Sequence, residues 1–389
     1  MNSLRPIADR MRKIQPFHVM EIMTRTRALE AEGRSIIHME IGEPDFPTPA
    51  PVTEAAARAI RETAMHYTLS LGLPALRQAI AAFYRDRYGV DVPASRIIVT
   101  PGASGALLLT AGVLLNPGDQ VLMADPGYPC NRHFVHFAGG APVAVPVDAS
   151  TAYQLTPELV AAHWTKNTVA VLLASPSNPT GTLIDQRTLA AIARFVESRG
   201  GKLIVDEIYH GLVYDTGAPT VLAVSDQAFV VNSFSKYFNM TGWRLGWVVA
   251  PESHIRAADV LQQNLFIAAS TPAQYAALAA FLPETLAILE ARRQEFQRRR
   301  DYLLPALREL GFDIPCTPQG AFYLYANCAR FTADSQAFAL DVLEQTGVAI
   351  TPGLDFGAHA PEKHVRFAYT TSLDKLREGV RRLQAFLAH

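Results

Sequence analysis

The chain has 389 residues, more than one small core needs, which suggests about two domains. It is 49% hydrophobic and 18% charged with a formal net charge of -1. That is ordinary for a globular enzyme and gives no electrostatic case for nucleic acid or an anionic membrane. No apolar run approaches the ~20 residues of a membrane helix, and the mixed start MNSLRPIADRMRKIQPF lacks the apolar segment of a secretory signal. Cys130, Cys316 and Cys328 are an odd number without metal-ligand spacing, and read as the reduced thiols of a cytoplasmic protein. His133 and His136 share a helix face, but packing or surface is the simpler reading than a metal.

In chain order, Ile36–Ile41 is strand-like and runs into the turn Gly42-Glu43-Pro44-Asp45. An alanine-rich helix is predicted from Pro51 to Thr63, capped by Thr48 or Thr53. Tyr67 comes next and, on residue type alone, is a loop aromatic. From Arg96 onward a regular alternation begins. Strands are predicted over Ile97–Thr100, Gln120–Ala124, Pro142–Val147, Val169–Ala174, Lys202–Val205, Ala228–Val231 and Leu245–Ala250. Helical stretches separate most of them, the pattern of a doubly wound sheet.

The residues just past these strands carry the chemistry, because ligands of open α/β sheets bind beyond the carboxyl ends. After Thr100 come Pro101, Gly102, Ala103, Ser104 and Gly105, opening a helix over Ala106–Leu115. Small residues there expose backbone N–H groups to an anion. The turn is neither a dinucleotide fingerprint nor a P-loop. Asp125-Pro126-Gly127-Tyr128-Pro129 lies past the second strand, and Ser175-Pro176-Ser177-Asn178-Pro179-Thr180-Gly181 past the fourth. Asp206 directly follows Leu203-Ile204-Val205, so its carboxylate is expected to be buried and to need a cation; a helix N-cap is the alternative. Tyr209 lies three residues on. Lys236 sits just past Ala228–Val231. A lysine desolvated in such a place can form an imine with a carbonyl. Ser233 and Arg244 flank it, and a hydroxyl with a guanidinium suits a phosphate. The bland alternative is a solvated loop lysine.

The C-terminal third changes character. Thr285–Glu309 reads as a long amphipathic helix, kinked or restarted at Pro305, with its arginine cluster on a solvated face. Strands are predicted over Gly320–Tyr325, Gly347–Ile350 and His364–Tyr369, and a helix over Asp374–Leu387. Arg366 points away from Phe367 and, on pattern alone, is a surface strand arginine. These parts form an α+β unit completed by the N-terminal arm.

The stretch SFSKYFNMTGWRLGW, residues 233–247, resembles the lysine loop of the fold-type I, class I/II pyridoxal phosphate (PLP) aminotransferases. The resemblance runs in order from Gly42 to Arg366. It implies a fold-type I transferase of the α/β class, with a mostly parallel seven-stranded sheet, helices on both faces and a smaller α+β domain. The large domain is expected over 48–285, and the small one over 1–47 with 286–389. The resemblance implies that Lys236 carries the cofactor through a Schiff base and moves the proton at the substrate Cα. It implies that Asp206 pairs with the pyridine nitrogen and that Asn178 and Tyr209 bond the phenolic oxygen. Tyr128 stacks on the ring, while Gly102, Ala103, Ser104, Ser233 and Arg244 surround the phosphate. Tyr67 reaches the phosphate of a neighbouring subunit, so a homodimer with shared sites is implied. Gly42, Asn178 and Arg366 contact the substrate, Arg366 through its α-carboxylate. The expected activity moves an amino group from an L-amino acid to a 2-oxoacid such as 2-oxoglutarate or pyruvate, without a metal. A C–S β-lyase on the same fold is the alternative. A PLP-binding regulator is disfavoured, because the arm before Gly42 is too short for a DNA-binding extension. The resemblance implies that side-chain recognition depends on the arm around Phe17, His18 and Val19, on loops and on the partner subunit. No arginine is placed for a distal carboxylate, and Phe17 and Val19 suit a small or apolar side chain or else simply pack.

Overall fold

The computed structural model describes residues 7–388, so the first six residues of the expected small domain lie outside it. The chain enters through α1 (Val19–Ala31), β1 (Ile37–His38), α2 (Ala50–Glu62) and α3 (Pro74–Tyr88). The alternating region comes next: β2 (Ile97–Thr100), α4 (Gly102–Leu114), β3 (Gln120–Asp125), α5 (Pro129–Phe137), β4 (Ala141–Pro146) and α6 (Pro157–His163). It continues with β5 (Thr168–Ala174), α7 (Gln186–Ser198), β6 (Lys202–Asp206), β7 (Phe229–Ser233) and β8 (Gly246–Val249). Three helices come after it, α8 (Glu252–Leu265), α9 (Thr271–Leu278) and α10 (Pro283–Glu309). The C-terminal part holds β9 (Tyr323–Asn327), α11 (Ser335–Thr346), β10 (Val348–Ala349), β11 (Thr351–Pro352), β12 (His364–Ala368) and α12 (Leu373–Leu387).

All seven strands predicted between Ile97 and Ala250 form one sheet in the order β2-β8-β7-β6-β5-β3-β4. Pairing is parallel from β4 through β7, and β8 runs antiparallel to both β7 and β2. The inner strands have apolar residues on both faces because helices cover both sides. Val171, Leu172, Leu203, Ile204, Val230 and Val231 are all buried. One consequence positions everything else: the carboxyl ends of β2, β3, β5, β6 and β7 share one edge with the start of β8.

The arm and the C-terminal part join through backbone pairing. Ile37 and His38 pair in parallel with Val348 and Ala349, while β11, β12 and β9 form a three-stranded antiparallel sheet. The strand expected over Ile36–Ile41 is therefore only two residues long, since β10 offers no longer partner.

Three sequence expectations need correction. Neither Thr48 nor Thr53 caps α2, which starts at Ala50 behind Pro49 without a side-chain cap. Thr48 Oγ1 instead donates to Asn239 O at 3.0 Å. Pro305 does not end or restart the long helix: α10 is continuous over Pro283–Glu309, the packing of its buried face outweighing the bond that proline removes. Nor is its arginine cluster a solvated face throughout, although Arg298 is exposed. Arg299 and Arg300 are buried, Arg299 forking onto Asp45 at 2.8 and 3.1 Å and Arg300 donating to Pro318 O at 3.0 Å.

Candidate active site

A cavity of about 500 Å³ opens at the shared carboxyl edge of the large sheet, against the three-stranded sheet and the arm. Lys236, just beyond β7, is partly buried in its wall. Its Nζ donates to Gly42 O at 2.6 Å and lies 5.8 Å from the centre of the Phe322 ring. Burial pulls the ammonium pKa down to about 8; Glu43 opposes this, whereas the guanidinium charges of Arg366 and Arg244 add to it. The loop lysine is thus not solvated but is an amine made easier to deprotonate.

Asp206 ends β6 and is buried. Its Oδ1 accepts the Ile208 N–H at 3.1 Å, but no α-helix intervenes before β7, so it is not a helix N-cap. Desolvation raises its pKa to about 6, opposed by that backbone bond and by the Lys236 charge. A carboxylate in this position gains most from a cation placed beside it.

A third group of residues surrounds the start of α4. Its first N–H groups have no acceptor within the helix. Gly102 and Ala103 are buried there, and Ser104 lines the cavity. Gly102 has φ +70°, and a Cβ on it would lie 2.7 Å from Arg244 Nη2; one on Gly246 would lie 2.7 Å from Gly102 C. Two glycines therefore let the helix end and the guanidinium approach one another. Arg244, itself left-handed at φ 52°, donates to Thr241 O at 3.0 Å. Ser233 Oγ donates to Ser235 Oγ at 2.9 Å. Free helix N–H groups, two hydroxyls and a guanidinium form a donor set that fits a phosphate.

The remaining predicted residues complete the wall. Tyr128 and Asn178 line the cavity beyond β3 and β5. Tyr209 is buried, and burial raises the pKa of its hydroxyl far above the ordinary value. Arg366 is a buried residue of β12 rather than a surface one. Its Nη1 donates to Asn178 Oδ1 at 2.9 Å and its Nη2 to Glu40 O at 2.6 Å. The guanidinium carbon sits 4.2 Å from the Tyr323 ring centre and 4.9 Å from that of Phe356, and Arg366 Nε is buried without a hydrogen-bond partner. One predicted residue is not gathered: Tyr67 is 81% exposed and does not line the cavity of its own chain.

Other residues escaped the sequence reading. Tyr323 Oη meets Tyr209 Oη at 2.9 Å and packs so close to Gly42 that a Cβ there would lie 2.0 Å away. Its signal was the alternation around residues 320–325, which marks a strand but not a site. Glu43, Ser235, Thr351 and Asp355 also line the cavity.

The set suits the expected cofactor on chemistry alone: an amine for an aldehyde, a buried carboxylate lacking a cation, and a phosphate cradle, all in one cavity. Comparison with known proteins agrees. Residues 34–383 match the family model described as Aminotransferase class I and II. The chain is 39% identical over 376 residues to a valine–pyruvate aminotransferase of Mycobacterium tuberculosis, covering 96% of this chain and 97% of that one. A crystal structure of an aminotransferase from Mycobacterium tuberculosis superposes with a TM-score of 0.96 at 38% identity, over 99% of this chain and 100% of that one. The aspartate aminotransferase of Thermus thermophilus, solved with maleate, gives 0.93 at 33% identity, over 98% of this chain and 100% of that one.

Proposed function

The chain belongs to the class I and II aminotransferases and is a pyridoxal phosphate-dependent transaminase, and from that premise we propose how its residues divide the work. The donor is an L-amino acid and the acceptor a 2-oxoacid, 2-oxoglutarate or pyruvate. The observation that carries the assignment is the meeting of Lys236, Asp206 and Arg366 in one cavity.

Bound pyridoxal phosphate supplies an aldehyde for the amino group and a ring that spreads the electron pair released at Cα. Lys236 Nζ is the amine that holds the aldehyde carbon. Displaced by substrate, Nζ is the base that takes the Cα proton, and its lowered pKa of about 8 suits that task near neutral pH. Asp206 holds a proton on the ring nitrogen, gaining the cation its buried carboxylate lacks. Asn178 and Tyr209 hold the phenolic oxygen, with Tyr323 orienting the Tyr209 hydroxyl through their 2.9 Å contact. Tyr128 covers one ring face. The start of α4 (Gly102, Ala103 and Ser104), Ser233 and Arg244 grip the phosphate. Arg366 forks onto the substrate α-carboxylate beside Asn178, with the backbone of Gly42 also against the substrate. Fixing the carboxylate also fixes the direction of the Cα–H bond.

Three coarser features belong to the same reading. The working unit is a homodimer in which Tyr67 completes the neighbour's site, supported by its exposure in the single chain. The division into 48–285 and 1–47 with 286–389 is supported by the separate sheets on the two sides. A cytoplasmic location is supported by three free thiols; no helix among the described residues is long and apolar enough to cross a membrane.

The test is chemical. Borohydride reduction of the yellow protein is expected to fix the cofactor to a single peptide containing Lys236. Lys236→Ala is expected to bind it reversibly and turn nothing over. Labelling of another lysine overturns the assignment. Mixing the enzyme with individual amino acids, and watching the cofactor's absorbance convert and then recover on adding 2-oxoacid, separates transfer from elimination.

A further inference from the structure

Part of the cavity wall comes from the segment entering α1: Phe17, Val19, Met20 and Met23 all line it. Residues 19, 20 and 23 share one side of the helix, whereas Ile22, Thr26 and Leu29 are buried on another. This helix has no cap of its own. His18 stands at the N-cap position and its side chain makes no capping bond. The acceptor comes from the far end of the sequence: Asp355 Oδ1 takes the His18 N–H at 2.5 Å and Oδ2 the Val19 N–H at 2.8 Å. These N–H groups are among those a helix cannot satisfy internally, and an anion at this end also suits the helix dipole.

Asp355 is itself firmly held. It is 3% exposed and closes the single turn Gly353–Asp355 after β11. A Cβ on Gly353 would lie 2.2 Å from Pro361 O, so the turn has room only for glycine. Thr351 of β11 pairs in register with Arg366 and accepts from its Nη2 at 3.2 Å. Two paired strands therefore bring together the anchor for the substrate carboxylate, Arg366 of β12, and the clamp on the arm, Asp355 after β11.

The charges around the cavity point the same way. Among the described residues its cationic lining is Lys236, Arg244 and Arg366, and each has a role above. Arg132 lines a neighbouring cavity and donates to Asp355 O at 2.9 Å. A second substrate carboxylate leaving water needs a partner cation, and within one chain this side of the cavity offers the carboxylate of Asp355 instead.

We propose that Asp355 is a positioning and specificity-determining residue, which clamps the apolar start of α1 onto the site and turns away donors bearing a second carboxylate. The donors taken are amino acids with uncharged, apolar side chains. This rests on the aminotransferase reading and on Arg366 as the α-carboxylate anchor.

The experiment compares wild type, Asp355→Asn and Asp355→Ala as holoenzymes, in half-reactions with leucine, valine, aspartate and glutamate. Asn keeps the shape and one acceptor, so it folds if any variant does. Wild type is expected to prefer leucine and valine. In both variants the ratio of kcat/KM for these over aspartate and glutamate is expected to fall at least tenfold, with the cofactor spectrum unchanged. Hydrogen exchange on the cofactor-free protein gives a second readout: the His18 and Val19 amides are expected to lose protection in Asp355→Ala. Equal losses for all four donors, or a wild type that prefers dicarboxylic donors, overturn the specificity claim. Unchanged exchange overturns the clamp. A wild type that converts no amino acid overturns the aminotransferase reading and the specificity claim with it, while exchange still reports on the clamp.

Discussion

Asp206 is a residue kept at a cost to the empty fold. Its pKa rises from 3.8 to about 6 because burial disfavours the carboxylate. The folded chain therefore binds more protons than the unfolded one between those values, and stability falls as pH rises through that window. The penalty is complete above about pH 6 and absent below 3.8. Asp206→Asn removes it while keeping an acceptor for Ile208 N–H. The cofactor-free variant is expected to be more stable at pH 7 by on the order of 3 kcal/mol, with the gap in thermal midpoint closing toward pH 4. A gap independent of pH counts against the buried-charge account. The holoenzyme variant is expected to lose at least about 100-fold in kcat, because holding the ring proton matters most in the transition state. At this scale part of the site was legible: Lys236 and Asp206 stand at or just past strand ends, where residue type and position already constrain chemistry, whereas Asn178 and Arg366 entered only through the resemblance, Arg366 reading on pattern alone as a surface residue. Asp355 and Tyr323 were not legible, because their importance comes from contacts with residues 18, 19, 42 and 209, which only the folded chain creates.

At the scale of elements, the site depends on how closely α4 approaches β8. A Cβ on Gly246 would lie 2.7 Å from Gly102 C and 2.8 Å from both Ala103 N and Asn232 O. All three are backbone atoms, so none can rotate away. Gly246→Ala is expected to push the first turn of α4 off its place, weakening cofactor affinity at least about tenfold and lowering the thermal midpoint by several degrees. Gly217→Ala, where a Cβ meets nothing within 4 Å, is the control, and equal behaviour of the two sinks the argument. Strands of this sheet were readable within a residue or two, since burial on both faces leaves an uninterrupted apolar run. The α10 arginines were misread for the opposite reason. Periodicity showed that they were charged and clustered, but the partners that allow Arg299 and Arg300 to be buried, Asp45 and Pro318 O, lie outside the helix, Asp45 far away in sequence.

For the whole molecule, the single chain leaves one predicted part of the site unused. Tyr67 is 81% exposed and Leu69 63%, in a segment tied to the α8–α9 region through Gln262 Nε2 to Ser70 O at 2.6 Å and Gln274 Nε2 to Thr68 Oγ1 at 3.0 Å. Leu265 and Ile267, between those two glutamines, are also exposed. Apolar side chains grouped on a well-anchored surface fit a face covered by another subunit. If Tyr67 reaches the partner's phosphate, lesions can be sorted between sites. A Tyr67→Ala subunit paired with a Lys236→Ala subunit has one site carrying both lesions and one carrying neither. Each parent dimer, by contrast, is damaged at both sites. Unfolding and refolding an equal mixture makes half the dimers heterodimers, so roughly a quarter of wild-type activity is expected to return. If Tyr67 acts within its own chain, every heterodimer site holds one lesion and the mixture stays at the average of its parents. If Tyr67→Ala alone is fully active, the tyrosine has no part in the site.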